Sequence, residues 1–595
     1  MQEESLRKLS RTIYLLTRIL SFLIIGGFIV VIIPLILGSI TNPVSYLYLL
    51  VVLPVFIAGF FISSRLRKYR LIARIKNEWG QPIIDKKRDM SAIRLLFDNM
   101  PTGETEKSID DQTWNDLNMD NIYAKIDRTF TDPGEAVLYR MLRTPLADKV
   151  ILETRNRIIR LFQHDRKFRE DAQLALIRLG HQHFSNDLFI TLWGDLLPLS
   201  RMTLLFTAMT VLAICSLSVP FIWGSPVLAL VPVAIFIANL FIHYIFRRNY
   251  KDQLFAFSYL LAFIRTAGKL SRILEGKLDV YQETLGKNFD ACRKILKKSR
   301  FLFPSKDTPA SSPNEIINEY LNIFFLFEVR AFYSAASEIN NRIDELRELY
   351  IILGEIDALQ SIASYRESLS GYTEPEFSSS GISLDIGNAV YPLLENPVPA
   401  SVTINRNGII ITGSNMSGKS TFLRNIGCNV LLAQTITTCL ASHYKGSFFH
   451  VMTSISRTDD VIAGKSFYYV EAERILRTIR SLDGNTPTLC IIDELLSGTN
   501  SAERLQASDA ILRHLIKQNT LVICATHDLE LIDRLEGMCD LYHFTGTADD
   551  TGLTFDHLLK PGMATTQNAI DLLEYLGYPD DIINRARNQP LTKDT

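Results

Sequence analysis

Long runs without any charged residue are the first pattern in the chain. Two lie near the N-terminus, at residues 19–40 and 47–64, and two more follow at 203–223 and 226–246. Apolar runs of about 18 or more residues are long enough to cross a bilayer as helices. Because a short uncharged turn joins each pair, the pattern predicts four transmembrane helices in two hairpins. The alternatives are a cleaved signal peptide for the first run and buried core helices for the second pair.

Basic residues flank both hairpins. They are Arg7, Lys8, Arg11 and Arg18 before the first, Arg65, Arg67, Lys68 and Arg70 after it, and Arg201, Arg247 and Arg248 around the second. Cytoplasmic flanks of transmembrane helices carry an excess of Lys and Arg. We therefore expect a multi-pass protein of a bacterial-type inner or cell membrane. Its soluble parts, 65–200 and 247–595, would lie in the cytoplasm, and the turns at 41–46 and 224–225 outside.

The short apolar run Gly408–Thr412 opens the most specific motif. The chain continues as GSNMSGKST, which completes the spacing G-x-x-x-x-G-K-S before a predicted helix. A strand, a glycine-rich loop and a helix in this order form a loop whose backbone N–H groups point at phosphate oxygens. We expect Lys419 to reach the β- and γ-phosphates of ATP and Ser420 to bind Mg²⁺. The predicted ATP-binding residues of the loop are Gly413, Ser414, Asn415, Met416, Ser417, Gly418, Lys419, Ser420 and Thr421.

Two later apolar runs, LCII and TLVICA, end in residues suited to nucleotide hydrolysis. Ligands of a doubly wound sheet bind at the carboxyl ends of its strands. We expect Asp493, after the first run, to hold Mg²⁺ and Glu494 to polarise the attacking water. His527, after the second run, would sense the γ-phosphate or orient that water. The structural alternative is a hydrogen-bonded histidine at a strand end, with Asp528 capping the next helix.

Net charge and cysteine spacing narrow the function classes. The formal net charge is −1 at pH 7, so the chain has no global basic signature of nucleic-acid binding. Its seven cysteines form no C-x-x-C pair and no Cys/His cluster. This spacing argues against a zinc site or a disulfide framework, and it favours a reducing compartment.

Taken together, the motifs TGSNMSGKST, DDVIAGKS, IIDELLSGTN and ATHD resemble the ATPase domain of the MutS mismatch-repair family. EIDALQSIA at 355–363, GYTEPEF at 371–377 and VYP at 390–392 are similar to the family's junction between lever and ATPase domain. IDRTFTDPG at 126–134 is similar to the start of its helical core. The resemblance implies an α/β P-loop NTPase domain of the ABC-ATPase-like type, C-terminal to an all-α lever and core domain.

The resemblance implies a homodimer, and together with the four apolar runs it gives a domain order. The expected segments are an N-terminal transmembrane hairpin (1–70), a cytoplasmic segment with the start of the helical core (71–200), the second hairpin (201–247), the helical lever and core (248–375), the ATPase domain (376–560) and dimer-supporting helices (561–595). In the family the partner's signature loop covers ATP, so Ser466 would donate to the γ-phosphate across the interface. Here Ser466 is followed by Phe467 and Tyr468, where the family usually has Ser-Thr-Phe.

Three functions remain open at this point. The first is a membrane-anchored, Mg²⁺-dependent MutS-like ATPase that binds DNA, including mismatched or branched DNA, as a dimer. The second is a membrane ATPase that acts on a protein or lipid partner. The third is a transporter of the ATP-binding-cassette class, which the missing LSGGQ-type signature disfavours. We expect the chain to lack the family's mismatch-reading domain with its Phe-x-Glu motif.

Overall fold

The computed structural model of this chain describes most of its length. The described residues are 65–66, 68–82, 86–100, 107–181, 187–194, 202–223, 226–299, 322–378, 381–404, 408–414, 417–455, 467–482, 484, 486–496, 500–549, 552–563 and 577–588. The predicted first hairpin, the Pro/Ser-rich segment 303–313, most of the predicted dimer-supporting helices, Asn415, Met416 and Ser466 lie outside them.

Contacts divide the chain into two compact units, each built from separate stretches. The first unit takes the chain up to Lys87, Thr129–Glu135 and Leu161–Gln360. The second takes Arg88–Arg128, Ala136–Arg160 and Ser361–Thr595. The domain boundaries predicted from the sequence stay a prediction.

Helices dominate the first two thirds of the described chain, and strands alternate with helices in the last third. In chain order the helices up to residue 367 are α1 (Met90–Asn99), α2 (Asp111–Asp116), α3 (Met119–Ile126), α4 (Asp132–Arg143), α5 (Lys149–His164), α6 (Arg166–Leu179), α7 (Asp187–Trp193), α8 (Met202–Trp223), α9 (Leu230–Leu274), α10 (Asp279–Lys298), α11 (Phe327–Asn340) and α12 (Ile343–Glu367). The elements that follow are β1 (Glu376–Phe377), β2 (Leu384–Ala389), β3 (Ala400–Ile404), β4 (Gly408–Thr412), α13 (Lys419–Ile436), β5 (His443–Gly446), β6 (His450–Ser454), α14 (Phe467–Arg480), β7 (Thr488–Asp493), α15 (Ser501–Ile516), β8 (Thr520–Ala525), α16 (Leu529–Arg534), β9 (Asp540–His543), β10 (Gly546–Asp549), β11 (Gly552–Phe555), β12 (Lys560–Pro561) and α17 (Asp580–Asn588).

The apolar pair 203–223 and 226–246 forms two packed helices of the first unit. α8 covers the first run, and a 3₁₀ turn at Pro226–Ala229 leads into α9, whose regular geometry is interrupted at Tyr250. Among the described residues, Leu230–Tyr250 is long and apolar enough to cross a membrane, and 17% of its most apolar window is buried. The apolar stretch of α8, Leu204–Val219, is shorter than that criterion. The four predicted transmembrane helices are therefore not confirmed.

A six-stranded sheet forms the centre of the second unit. Its order is β12-β9-β4-β8-β7-β6, and all neighbours are parallel except the β12–β9 pair. Every residue of β4 is buried, as the unbroken apolar run predicts for a strand covered on both faces. A smaller sheet has the order β1-β5-β2-β3. The predicted α/β class of this region is confirmed.

A segment from far upstream completes the second unit. The carboxylate of Asp116 in α2 accepts hydrogen bonds from Thr453 Oγ1 (2.8 Å) and from the backbone N–H of Ile455 (2.9 Å). Leu117 is fully buried, and its side chain would lie 2.8 Å from a Cβ at position 427, so a larger residue there would have to displace this side chain. Residues 88–128 are thus part of the second unit, which the sequence did not reveal.

The stretches IDRTFTDPG and EIDALQSIA, whose family resemblance stood out in the sequence, bond to each other. In the first unit, Asp357 accepts hydrogen bonds from the backbone N–H (2.9 Å) and the hydroxyl (2.6 Å) of Thr131. In the second unit, the Ser361 hydroxyl donates to the Ile126 carbonyl (2.8 Å) and accepts from the Arg128 N–H (2.7 Å). The distinctive residues of both stretches therefore satisfy buried backbone groups.

Candidate functional site

The phosphate-loop motif lies at the carboxyl end of β4, between two glycines with positive φ. Gly413 has a φ of 140° and Gly418 a φ of 113°. A Cβ at Gly413 would lie 2.8 Å from the carbonyl oxygen of Phe544, so a side chain there is excluded both by space and by conformation. Gly418 is the N-cap of α13 and provides no side-chain cap. The first N–H groups of this helix therefore face the loop without a capping side chain.

Polar groups of the loop are arranged as an anion site requires. The Nζ of Lys419 donates to the carbonyls of Gly413 and Ser414, both at 2.8 Å, although the residue is buried. The hydroxyls of Ser414 and Ser417 are buried and have no hydrogen-bond partner among the described residues. Thr421 is half-buried in the first turn of α13. Unsatisfied hydroxyls beside a lysine and a helix N-terminus fit the phosphates of a nucleotide.

Ser420 and Asp493 meet, as the motif spacing predicts. The Ser420 hydroxyl, in the first turn of α13, donates to Asp493 Oδ2 at the end of β7. A hydroxyl and a carboxylate oxygen are hard ligands of the kind that Mg²⁺ prefers. The pair therefore fits a Mg²⁺ ion held beside the phosphate loop.

Glu494 and His527 form the next pair along the same sheet edge. Glu494 has a φ of 59°, a costly conformation for this residue, and its N–H donates to the carbonyl of Ala525 (2.9 Å). This bond aims its carboxylate at His527, whose Nε2 lies 3.0 Å from Glu494 Oε1. Because an ionised carboxylate only accepts hydrogen bonds, Nε2 carries the proton. Asp528 is the N-cap residue of α16, as the structural alternative has it, but its side chain makes no capping hydrogen bond.

One residue of the loop environment was not predicted. His557, after β11, has its Nδ1 2.9 Å from the Ser417 carbonyl, and a Cβ at Gly418 would lie 3.3 Å from the same nitrogen. The imidazole thus packs on the loop backbone next to the phosphate site. No local motif marks His557, since the only sequence signal is a lone histidine in the run TFDHLLKPG.

The predicted trans-acting residue cannot be placed in this site. Ser466 belongs to the segment 456–466 outside the described residues, between β6 and α14. The backbone just before that segment is anchored, because Asp116 binds Ile455. The role of Ser466 stays a prediction.

Comparison with known proteins identifies relatives of the C-terminal half. Residues 409–592 match the family model MutS domain V. The chain is 29% identical over 282 residues to DNA mismatch repair protein MutS 2 of Halobacterium salinarum, which covers 45% of this chain and 32% of that protein. It is 29% identical over 268 residues to DNA mismatch repair protein MutS of Thermus thermophilus, covering 44% and 32%. Its identity to DNA mismatch repair protein MutS of Thermotoga maritima is 28% over 311 residues, covering 50% and 38%. The chain spans about a third of the length of these relatives.

Proposed function

We propose that this chain, a member of the MutS family by its domain V, is a Mg²⁺-dependent ATPase. The observation that carries the proposal is the convergence of three neighbouring strands. In the order β4-β8-β7, their carboxyl ends bring Lys419, the Ser420–Asp493 pair and the Glu494–His527 pair to one edge of the sheet. These are the groups that phosphoryl transfer to water needs: a phosphate cradle, a metal site and a positioned carboxylate.

Ser420 and Asp493 would hold the metal ion. When bound, Mg²⁺ neutralises charge on the β- and γ-phosphates. Lys419 would exchange its two loop carbonyls for phosphate oxygens, so its ammonium stays hydrogen-bonded in both states.

Glu494 would orient the attacking water and accept its proton, because it is the carboxylate that follows the metal-binding aspartate at the strand end. His527 acts on it by donating Nε2–H to Oε1, which fixes the orientation of the carboxylate. The left-handed backbone conformation of Glu494, and the hydrogen bond from its N–H to the Ala525 carbonyl, fix the backbone that carries this side chain. The pair thus positions a general base before nucleotide arrives.

The test is phosphate release by the intact, detergent-solubilised protein with and without Mg²⁺. Lys419→Ala should weaken ATP binding about 10- to 150-fold for each lost charge-assisted hydrogen bond. Lys517→Ala, which removes an exposed lysine of the same domain, is the matched control and should leave binding unchanged. Wild-type hydrolysis by Lys419→Ala would overturn the site.

We further propose that the protein is anchored in a cell membrane by two hairpins, with its large segments in the cytoplasm. The support is the uncharged length of the four runs, their basic flanks and the exposed apolar surface of α8 and α9. Single cysteines introduced at 41–46 and 224–225 should react with a membrane-impermeant reagent from outside intact cells. Labelling only after the cytoplasmic side is opened would reject this topology.

DNA is the partner that the names of the relatives support, and we propose that the protein binds branched or mismatched DNA as a dimer. Affinity for duplex, branched and mismatched DNA should fall steeply with salt if several phosphates are contacted. If the protein forms no complex with any of the three DNAs, with or without ATP, DNA binding is rejected. ATP hydrolysis would then act on a protein or lipid partner.

A further inference from the structure

A short apolar segment at residues 322–327 packs on the α8–α9 hairpin. It is helical from 322 to 325, and Leu326 then turns the chain with a φ of 49° before α11 begins. The ring of Phe324 stacks on Phe236 of α9, with centroids 6.3 Å apart. Phe325 lies 5.1 Å from the ring of Phe327. The segment thus adds aromatic side chains to a surface that is already apolar.

Two buried polar side chains of the hairpin bond to the backbone of this segment. Asn239 Nδ2 donates to the carbonyl of Phe324 (2.7 Å). The Thr210 hydroxyl lies 2.8 Å from the carbonyl of Phe325 and 2.9 Å from that of Phe206 in its own helix, so the two carbonyls share its one hydrogen. Asn239 is fully buried and Thr210 nearly so. These are the carbonyls at which the helical segment stops, so they need partners from outside it. In hydrocarbon each unsatisfied carbonyl would cost several kcal/mol, and neighbouring helices supply the donors.

Asn239 and Thr210 lie at the same depth in the proposed membrane. At about 1.5 Å per residue, Thr210 lies about 12 Å along α8 from Met202, where that helix begins. Asn239 lies about 12 Å along α9 from Arg247, the first charge after the apolar run. In the proposed topology both starting points are at the cytoplasmic boundary. The Phe324 and Phe325 carbonyls would then lie a little less than halfway through a hydrocarbon core of about 30 Å.

The contacts of α11 agree with this direction. Glu328 in its first turn pairs with Arg247 (3.1 Å). Five residues later, Tyr333 stacks on Phe206 of α8 at 5.7 Å and lies 6.1 Å from the rings of Phe246 and Tyr250 in α9. Glu328 and Tyr333 thus contact residues that are nearer to the cytoplasmic boundary than Thr210 and Asn239 are.

Lipid is the occupant that suits the outer surface of this group. Large apolar side chains point outward along both helices, and more than half of the surface of each is exposed: Leu204, Leu212, Val233, Phe241 and Ile245. No charged residue interrupts either run. A continuous exposed apolar face of this length on a folded unit fits acyl chains.

We propose that residues 322–327 form a re-entrant segment, which reaches into the bilayer from the cytoplasmic side and turns back at Leu326. The membrane anchor then consists of α8, α9 and this segment. Asn239 and Thr210 hold the segment by hydrogen bonds, and the N-terminus of α11 is attached to the anchor. This inference rests on the proposed membrane insertion of the α8–α9 hairpin.

The experiment measures the depth of nitroxide labels by electron paramagnetic resonance. The protein carries Cys215→Ala, because Cys215 is its one exposed cysteine and the other six are buried. Single labels go at Phe325→Cys, at Phe327→Cys as a second position in the segment, at Leu212→Cys on the outer face of α8, and at Lys517→Cys in the nucleotide domain. The protein is reconstituted in vesicles of phosphatidylcholine and phosphatidylglycerol, and accessibility to oxygen is compared with accessibility to a water-soluble nickel complex.

Labels at Phe325, Phe327 and Leu212 should be accessible to oxygen and shielded from nickel, and the label at Lys517 should show the reverse. A shielded Leu212 label with nickel-accessible labels at Phe325 and Phe327 would overturn the re-entrant segment and leave the hairpin anchored. Nickel-accessible labels at all positions would overturn the membrane anchor itself. Adding Asn239→Leu should raise nickel accessibility at Phe325, whereas the control Ser218→Ala, on the exposed side of α8, should not. Equal nickel accessibility at Phe325 in the Asn239→Leu and Ser218→Ala variants would overturn the role of Asn239 in holding the segment.

Discussion

Replacing Arg366 with methionine should destabilise the nucleotide domain strongly. The Arg366 side chain binds carbonyls at the C-terminal end of α13, the helix that follows the phosphate loop. Arg366 lies near the end of α12 and is buried. Its Nη2 donates to the carbonyls of Thr437 (2.7 Å) and Ile436 (3.3 Å), and its Nε donates to the Thr438 hydroxyl (2.8 Å). The last carbonyls of a helix have no partner within it. The hydroxyls of Thr437 and Thr438 also donate to the Ile436 carbonyl, so among the described contacts it is the Thr437 carbonyl that depends on the guanidinium.

The size of the effect follows from those contacts. A buried acceptor left without a partner costs about 1–3 kcal/mol, so loss of the bond to the Thr437 carbonyl gives about 1–3 kcal/mol. Arg160 provides a matched control, since it binds the same carboxylate, that of Glu374, but 58% of its side chain is exposed. An exposed ion pair contributes about 0–1 kcal/mol. Arg366→Lys keeps the charge but loses the planar fork, and it should fall between the two.

Urea unfolding of the intact protein in detergent, read by pulse proteolysis of the nucleotide domain, measures the difference. Arg366→Met should lower the midpoint clearly, while Arg160→Met should stay close to wild type. Equal midpoints for Arg366→Met and Arg160→Met would refute the reasoning that the buried guanidinium holds the helix end. A changed slope with urea would instead report a change in the surface exposed on unfolding.

Three further outcomes test the site and the helical unit. Glu494→Gln should keep ATP binding and suppress turnover, because an amide does not accept the proton; binding of a fluorescent nucleotide and phosphate release separate the two, and wild-type turnover would contradict the role. A mixture of Lys419→Ala and Ser466→Ala subunits should exceed either variant alone if Ser466 completes the partner's site, and no recovery despite proven subunit exchange would reject that role. Burial raises the pKa of Asp357 from the ordinary 3.8 to about 6, so the folded chain retains a proton that the unfolded chain releases, and stability falls as pH rises through this window. Between pH 5 and pH 7 the unfolding free energy should drop by about 1 kcal/mol from this group, and urea titrations at the two pH values should show that Asp357→Asn lacks this component.

Local patterns pointed to residues that the structure brings together, whereas their roles stay a prediction. The phosphate loop, Asp493, Glu494 and His527 each follow an apolar run, and a parallel sheet brings the ends of such runs together. His557 escaped prediction because it reaches the loop from about 140 residues later, and a single histidine after a short strand has no periodic signal. The apolar runs likewise predicted helices at α8 and α9, whereas the membrane around them stays a prediction.

Long-range pairing explains what the sequence left hidden in the fold. Nothing in residues 109–117 marks α2 as a neighbour of β6, because the two elements meet through hydrogen bonds of Gln112, Thr113 and Asp116 with residues more than three hundred positions away. Asp357 and Ser361 stood out by resemblance alone. Their physical role, satisfying buried backbone groups of the distant stretch 126–131, needed coordinates.

The discontinuous second unit has a consequence for the order of events on the ribosome. Residues 88–128 contribute buried side chains such as Leu117, Ile122 and Tyr123, and most of the unit to which they belong begins at Ser361. About 230 residues separate the two stretches, and at about 5–20 residues per second the early stretch waits on the order of tens of seconds for its partners. During that interval the α8–α9 hairpin leaves the exit tunnel with its own apolar surface. The early stretch must therefore stay unaggregated, with a chaperone or in transient contacts, until the last third of the chain has been made.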